Sequence, residues 1–344
     1  MLKKMKKYAI PAIILIVLSA LFLIRHFQRP AYFLSVAAIM KNEKPYLKEW
    51  LEYHRLVGVE HFYLCDNDST DNTREYLTPY INSGLITYIE MSGKNKQLTC
   101  YEKVVSEYKD QTTWLAFIDI DEYMVPLKKH TMTAFLKEFE DVAEVSLHWL
   151  NYGDSGAFTR NMGLMTEFFT SHGRFLNHTV KSIVRPKSVI DFKAFGSNHY
   201  VRVNGASVNE YKKPVNFMLD MHISADKARI NHYITKSFAE FLYKKGRGHP
   251  EGTPIDFSYY FFHNENEIKD DTTMRRFLPH LKKRMQKSPL ADVPLPVVEN
   301  LPAGFSEYYF SPEVASEVLG QNITAPLSFY ELETLYKNRR PRYN

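Results

Sequence analysis

The chain has 344 residues, 44% of them apolar and 24% charged, enough for one large domain with a sizeable core. Its net charge of +5 sits at one end: Lys3, Lys4, Lys6, Lys7, Arg25 and Arg29 meet no acid within the first 30 residues, and the remainder is nearly neutral. That balance excludes a protein built to track a phosphate backbone, so no nucleic-acid partner is expected.

Tyr8 to Ile24 carries no charge and is dominated by Ile, Leu, Val and Ala. At about 1.5 Å per residue, such a helix just reaches the lower limit for crossing a bilayer. The bulky run Leu21-Phe22-Leu23-Ile24 offers no signal-peptidase site, so an uncleaved anchor is predicted. Lysines before it and fewer basic residues after it favour a cytoplasmic N-terminus and a single-pass membrane protein. The chain then divides into a basic cytoplasmic stub (1–7), a transmembrane anchor (8–24), a short stem (25–32), a main domain (33–250) and a C-terminal extension packed on it (251–344). Asn177-His178-Thr179 and Asn322-Ile323-Thr324 fit the N-glycosylation triplet, a pattern that also arises by chance.

From Phe33 the pattern alternates. Phe33–Met40 is a continuous apolar run of strand length, and Pro45–Val57 places Leu47, Trp50, Leu51, His54 and Val57 at helical spacing. His61–Cys65 reads as a second strand, followed by capping-type residues Ser69-Thr70-Asp71 before a short helix. Leu85–Met91 is a third strand, Leu98–Tyr108 an amphipathic helix and Thr113–Ile118 a fourth strand. Strands without polar alternation, separated by helices, predict an α/β domain with a mainly parallel sheet covered on both faces. Cys65 and Cys100 both fall on apolar-patterned segments and lack zinc spacing, so buried free thiols are expected. Past Pro126 the pattern loosens: a helix near Met132–Phe139, strands at Ala143–Trp149 and Val180–Arg185, and helices at Ser237–Lys245 and Thr273–Gln286 are predicted.

Ligands of such sheets bind outside the carboxyl ends of the strands. Three polar clusters fall there: Lys41-Asn42-Glu43, Asp66-Asn67-Asp68 and Asp119-Ile120-Asp121. In extended backbone, residues i and i+2 point to one side, so Asp119 and Asp121 would face one hard cation together. Such an ion would bridge the diphosphate of a nucleotide sugar and neutralise the leaving group. Asp66 suits either a turn or a contact to a nucleoside. His232, followed by Lys236, Lys244, Lys245 and Arg247, could complete the metal shell while the cations grip phosphate, or could be a satisfied core histidine.

These residues together resemble glycosyltransferase family 92. The resemblance runs from about Ser35 to Gly248 through Lys41-Asn42-Glu43, Trp50-Leu51-Glu52-Tyr53-His54, Asp66–Asp71, Phe117–Tyr123, Trp149, Tyr152–Gly156, Lys181–Pro186, His232-Tyr233, Lys236-Ser237, Glu240-Phe241, Lys244 and Arg247-Gly248. It implies a GT-A-type nucleotide-binding fold and an inverting transfer from a UDP-sugar, often UDP-galactose, to a glycan or glycoconjugate hydroxyl. It also implies Mn2+ (or Mg2+), and often a membrane anchor that would put the domain in the Golgi lumen of a eukaryote. In a bacterium, the same orientation would separate the domain from cytoplasmic donors.

By resemblance, Asp119 and Asp121 would hold the metal with His232, Asn42 and Asp66 would lie near the nucleoside, and Lys236 and Arg247 near the diphosphate. The chain departs from the family in carrying Asp154 where a small hydroxyl residue is usual. The catalytic base is sought in Asp154 or Glu240. Two other readings stand beside this one. Nucleotidyl or phosphoryl transfer also uses paired acids but calls for a glycine-rich loop, which a chain of only 14 glycines does not show. A membrane-tethered carbohydrate-binding module would carry the same apolar anchor without turnover.

Overall fold

The structure, a computed structural model, describes residues 30–160, 163–192, 201–216, 219–248, 255–295 and 308–339. The anchor expected at 8–24 lies outside them. Among the described residues no helix is long and apolar enough to cross a membrane.

The first half repeats one unit. Strand β1 (Tyr32–Met40) leads to helix α1 (Lys44–Leu56), β2 (His61–Asn67) to α2 (Thr73–Asn82), and β3 (Ile86–Met91) to α3 (Gln97–Tyr108), before β4 (Thr112–Phe117). These four strands are parallel in the order β3-β2-β1-β4. Alternation explains why both faces are apolar. Leu34, Val36, Ala38 and Met40 of β1 point with Phe62 and Leu64 into a large core beneath α1 and α2. Ala37 and Ile39 point with Tyr63, Leu115 and Phe117 into a second core beneath α3.

After β4 the chain turns at once into β5 (Glu122–Pro126), then α4 (Met132–Leu136), β6 (Glu144–Asn151), α5 (Met165–Phe168) and β7 (Val180–Val184). Strands β8 (Val189–Asp191) and β9 (Arg202–Val203) pair with each other, and β10 (Ser207–Val208) pairs with β6. Strand β11 (Ala228–His232) inserts parallel to β6 and antiparallel to β5. The main sheet continues β4-β7-β6-β11-β5, so it is mainly parallel among the described residues, with β7 and β5 running the other way. Because β7 runs antiparallel to both β4 and β6, the carboxyl ends of β1, β2, β4, β6 and β11 all meet one edge.

Helix α6 (Phe238–Arg247) opens with a capping box: Ser237 accepts from the Glu240 amide while the Glu240 carboxylate accepts from Ser237. The remaining elements are α7 (Phe257–His263), α8 (Leu278–Lys287), β12 (Tyr309–Phe310), α9 (Pro312–Leu319), β13 (Leu327–Ser328) and α10 (Phe329–Arg339). A third core of Phe158, Phe238, Phe241, Tyr260, Phe261, Phe310, Leu319, Phe329 and Leu332 seats this C-terminal segment on α6. Helix α8 instead packs Leu281 into the large core, and its Arg284 pairs with Glu52 of α1 at 3.2 Å.

One expectation is corrected. Cys65 on β2 and Cys100 on α3 are not free thiols; they form a disulfide across the second core. Apolar patterning put each of them inside but carried no information that the two would meet.

Candidate active site

A cavity of about 310 Å³ opens at the shared carboxyl edge of the strands. Its wall combines Met40 at the end of β1, Lys41 and Glu43 just after it, Asn67 at the end of β2, Gln97 of α3, and Asp119 and Asp121 after β4. Trp149 of β6, His232 of β11, Lys244 and Arg247 of α6, and Tyr259 and His263 of α7 complete it.

Asp119 and Asp121 do not continue a strand, as the extended-backbone reading expected. They sit in a tight turn closed by the Glu122 amide, which donates to the Asp119 carbonyl at 3.1 Å. Helix α1 holds this turn in place. The Trp50 indole donates to the carbonyls of Asp119 (3.1 Å) and Glu122 (2.9 Å), while the Tyr53 hydroxyl donates to the Met124 carbonyl. His54 Nε2 accepts from the Met124 amide at 3.3 Å. From the other side, the Tyr233 amide donates to the Asp121 carbonyl, tying the end of β11 to the turn.

Beneath the turn lies a buried ion cluster. Lys181, projecting from apolar β7 and only 1% exposed, reaches Asp119 at 2.7 Å and Glu122 at 3.3 Å. Gln97 donates to the other Asp119 oxygen at 2.9 Å. Burial works against the Lys181 charge, yet Asp119 and Glu122 hold its pKa above the usual lysine range. Burial pushes Glu122 up to about 8 against the pull of Lys181, with Asp119 adding to the rise. The Asp119 carboxylate keeps 29% of its surface open towards the cavity.

Asp121 is more enclosed. Lys244 reaches it at 2.9 Å and Lys236 at 3.8 Å. Burial alone would raise its pKa, but Lys244 and Lys236 outweigh it and hold the carboxyl well below the usual range. His232 Nε2 stands 3.6 Å from Asp121 Oδ1, and the ring packs on Trp149 at 4.4 Å. Burial lowers the His232 pKa against the attraction of Asp121, which favours neutral imidazole, the form that binds metals. Arg247 pairs with Glu43 and donates to the Lys41 carbonyl at 2.6 Å. Lys236 occupies the left-handed region (φ 57°), a strained conformation for this residue type, with its ammonium over the Tyr46 ring.

Thus Asp119, Asp121, His232 and Arg247 border the cavity, and Lys236 stands behind Asp121. Asn42 and Asp66 clasp the neighbouring loops. The Asn42 amide donates to Ser69 and its side-chain oxygen accepts from the Thr70 amide, while Asp66 accepts from the Ser69 amide and the Tyr88 hydroxyl. It is the adjacent Asn67 that borders the cavity.

The two residues considered as base do not border it. Asp154 is buried and accepts from the Tyr260 hydroxyl, the side chains of Asn264 and Asn266, and the Gly156 amide. Glu240 is buried in its capping box and in a 2.8 Å pair with Arg160. Both carboxylates are consumed by structural contacts. Sequence reasoning gave no site role to Gln97, Lys181, Tyr259 or His263. Only Lys181 carried a signal, a lone charge in the apolar strand Val180–Val184.

The donors suit a hard divalent ion with two protein ligands. Two ligands about 2.1 Å from one ion stand roughly 3–3.6 Å apart, so the 3.6 Å between Asp121 Oδ1 and His232 Nε2 fits adjacent positions on it. No group of three or more His, Cys, Asp or Glu side chains among the described residues is disposed to hold a metal. The remaining positions of such an ion are therefore left to phosphate oxygens and water.

The family described as glycosyltransferase family 92 matches residues 32–253. A glycosyltransferase family 92 protein of Oryza sativa subsp. japonica is 25% identical over 170 residues, covering 48% of this chain and 29% of that protein. The galactan beta-1,4-galactosyltransferase GALS3 of Arabidopsis thaliana is 24% identical over 111 residues, covering 29% of this chain and 22% of the relative. The chain spans only about a third of the length of the curated relatives it matches. Among solved structures, Staphylococcus aureus TarS 1-349 in complex with UDP aligns at 14% identity and a TM-score of 0.30, covering 45% of this chain and 47% of the other.

Proposed function

This chain belongs to glycosyltransferase family 92, and on that premise we propose that it transfers a sugar with inversion from a UDP-sugar to a hydroxyl of a glycan or glycoconjugate, using Mn2+ or Mg2+ in a GT-A-type fold. The observation that carries this reading is the cavity itself. It joins two carboxylates and a neutral histidine to Lys244 and Arg247 at the carboxyl edge of an α/β sheet.

In this reading Asp121 and His232 hold the ion, and Asp119 stands beside it, fixed by Lys181 and Gln97. When bound, the ion neutralises charge developing on the departing UDP. Lys244 and Arg247 take the diphosphate oxygens, with Lys236 adding positive charge from behind Asp121. The amides of Asn67 and Gln97 offer donors and acceptors towards the nucleoside. Trp149 presents an aromatic surface of the kind on which a sugar ring packs. Galactose is the first sugar to test, because a galactan galactosyltransferase is among the relatives.

The reading includes membrane attachment through residues 8–24 with a cytoplasmic N-terminus. The Cys65–Cys100 disulfide supports an oxidising compartment for the domain. Protease accessibility in sealed vesicles tests that orientation, and full protection of the domain from protease added outside is the outcome expected of a lumenal enzyme.

The activity is tested with the purified full chain and a panel of UDP-galactose, UDP-glucose and UDP-N-acetylglucosamine. The expected result is release of UDP from at least one donor, dependent on Mn2+ and abolished by EDTA. No turnover of any of them, or undiminished turnover in chelator, would contradict the reading.

A further inference from the structure

We propose that the C-terminal segment supplies the acceptor wall of this cavity through α7, and that His263 on that helix takes the proton from the attacking hydroxyl. The inference rests on the donor-site reading above. The family match ends at residue 253, whereas α7 starts at Phe257, so this wall is built by residues outside the matched region.

The helix is two-faced. Tyr259 and His263 are four residues apart on one face, with ring centroids 4.5 Å apart, and both border the cavity. Tyr260 and Phe261 point the other way into the third core. The Lys244 ammonium lies 5.7 Å from the Tyr259 ring, which sets this face against the Asp121–Lys244 pair. The helix is also anchored. Asp154, in the loop that follows β6, accepts from Tyr260 within α7 and from Asn264 and Asn266 just after it, and the Ser155 amide donates to Asn266. His263 is thereby held between the aromatic core and a buried hydrogen-bond latch.

Ion pairs already engage the carboxylates that border the cavity. Each bordering carboxylate carries a cation: Asp119 with Lys181, Asp121 with Lys244, and Glu43 with Arg247. Each pair occupies carboxylate oxygens with an ammonium or guanidinium group. His232 faces Asp121 across the span of a metal ion. An imidazole has the basicity for proton transfer near neutral pH, and the one on α7 lies on the wall contributed from outside the donor-binding elements. In the step, the acceptor oxygen bonds to the anomeric carbon while its proton passes to a ring nitrogen of His263. The bond from that carbon to the UDP oxygen breaks, and its electron pair leaves with UDP.

The test uses the full chain with the most active donor of the panel, water serving as acceptor. His263→Gln keeps a polar side chain of similar size, and His263→Ala removes it. The expected result for both is a kcat at least 100-fold below wild type, with donor KM and UDP affinity within threefold and melting temperature preserved. A kcat within threefold of wild type, or UDP affinity falling in parallel with kcat, would overturn the assignment. A wild-type chain that turns over no UDP-sugar is a different failure: it removes the donor-site reading, and this inference with it.

Discussion

Asp154 is enclosed by four donors, and its carboxyl is pushed above the usual range chiefly by burial, against the pull of the Tyr260 hydroxyl. Its carboxylate reaches three side chains of the C-terminal segment at once, those of Tyr260, Asn264 and Asn266. Asp154→Ala would strand these donors and is expected to cost about 2–3 kcal/mol, read as a shift in urea midpoint. Asp271 illustrates the opposite balance. Burial would raise its pKa, but Thr273, Tyr152 and Arg229 hold it down to about 2. A carboxylate depressed in the folded state contributes stability that is complete above its unfolded value, about 4, and is lost as pH falls through 2. The stability difference between wild type and Asp271→Asn is therefore expected to shrink by about 1 kcal/mol from pH 5 to pH 2, after allowance for solvent screening.

At the scale of elements, the site depends on α1 and on the docking of α7. The Trp50 indole bridges both carbonyls flanking the acidic turn, which gives physical content to the Trp50–His54 run in the sequence. Trp50→Phe keeps an aromatic ring in the core but removes both bonds. It is expected to cost about 1–2 kcal/mol in stability and to lower UDP-sugar turnover by roughly tenfold, since the turn loses its orientation. Gly153 lies where the loop after α7 crosses the end of β6: a Cβ there would stand 2.5 Å from the Glu265 carbonyl oxygen and from Asn266 Oδ1. Gly153→Ala is expected to lower the melting temperature and to reduce transfer more than UDP affinity, because it displaces α7 and leaves the donor wall in place. Equal losses in transfer and affinity would show that the loop supports the whole site.

Over the whole molecule, what could be read beforehand was what local pattern encodes. Apolar strands ending in acids placed Asp119, Asp121 and the neighbouring polar clusters at one edge, because a parallel sheet leaves no other edge for them. Four features resist such reading. Strand β5 follows the acidic turn with no loop to announce it, so local pattern reads the turn as extended strand. Strand β11 lies between β6 and β5, a partnership set by contacts across about 80 to 110 residues of sequence. The Cys65–Cys100 bridge and the Tyr259–His263 wall likewise exist only once distant segments meet. Asp154 and Glu240, the two candidate bases, are both buried and hydrogen-bonded within the scaffold.

The central claim is that the Asp119–Asp121 turn and its cations form a metal-assisted UDP site. Titration calorimetry of UDP into the full chain, wild type and Asp121→Asn, measures it directly. The expected result is wild-type binding that needs Mn2+ and weakens at least 30-fold in Asp121→Asn, with the fold of the variant intact by circular dichroism. Equal affinity in the two proteins, or wild-type affinity unchanged by EDTA, would contradict it.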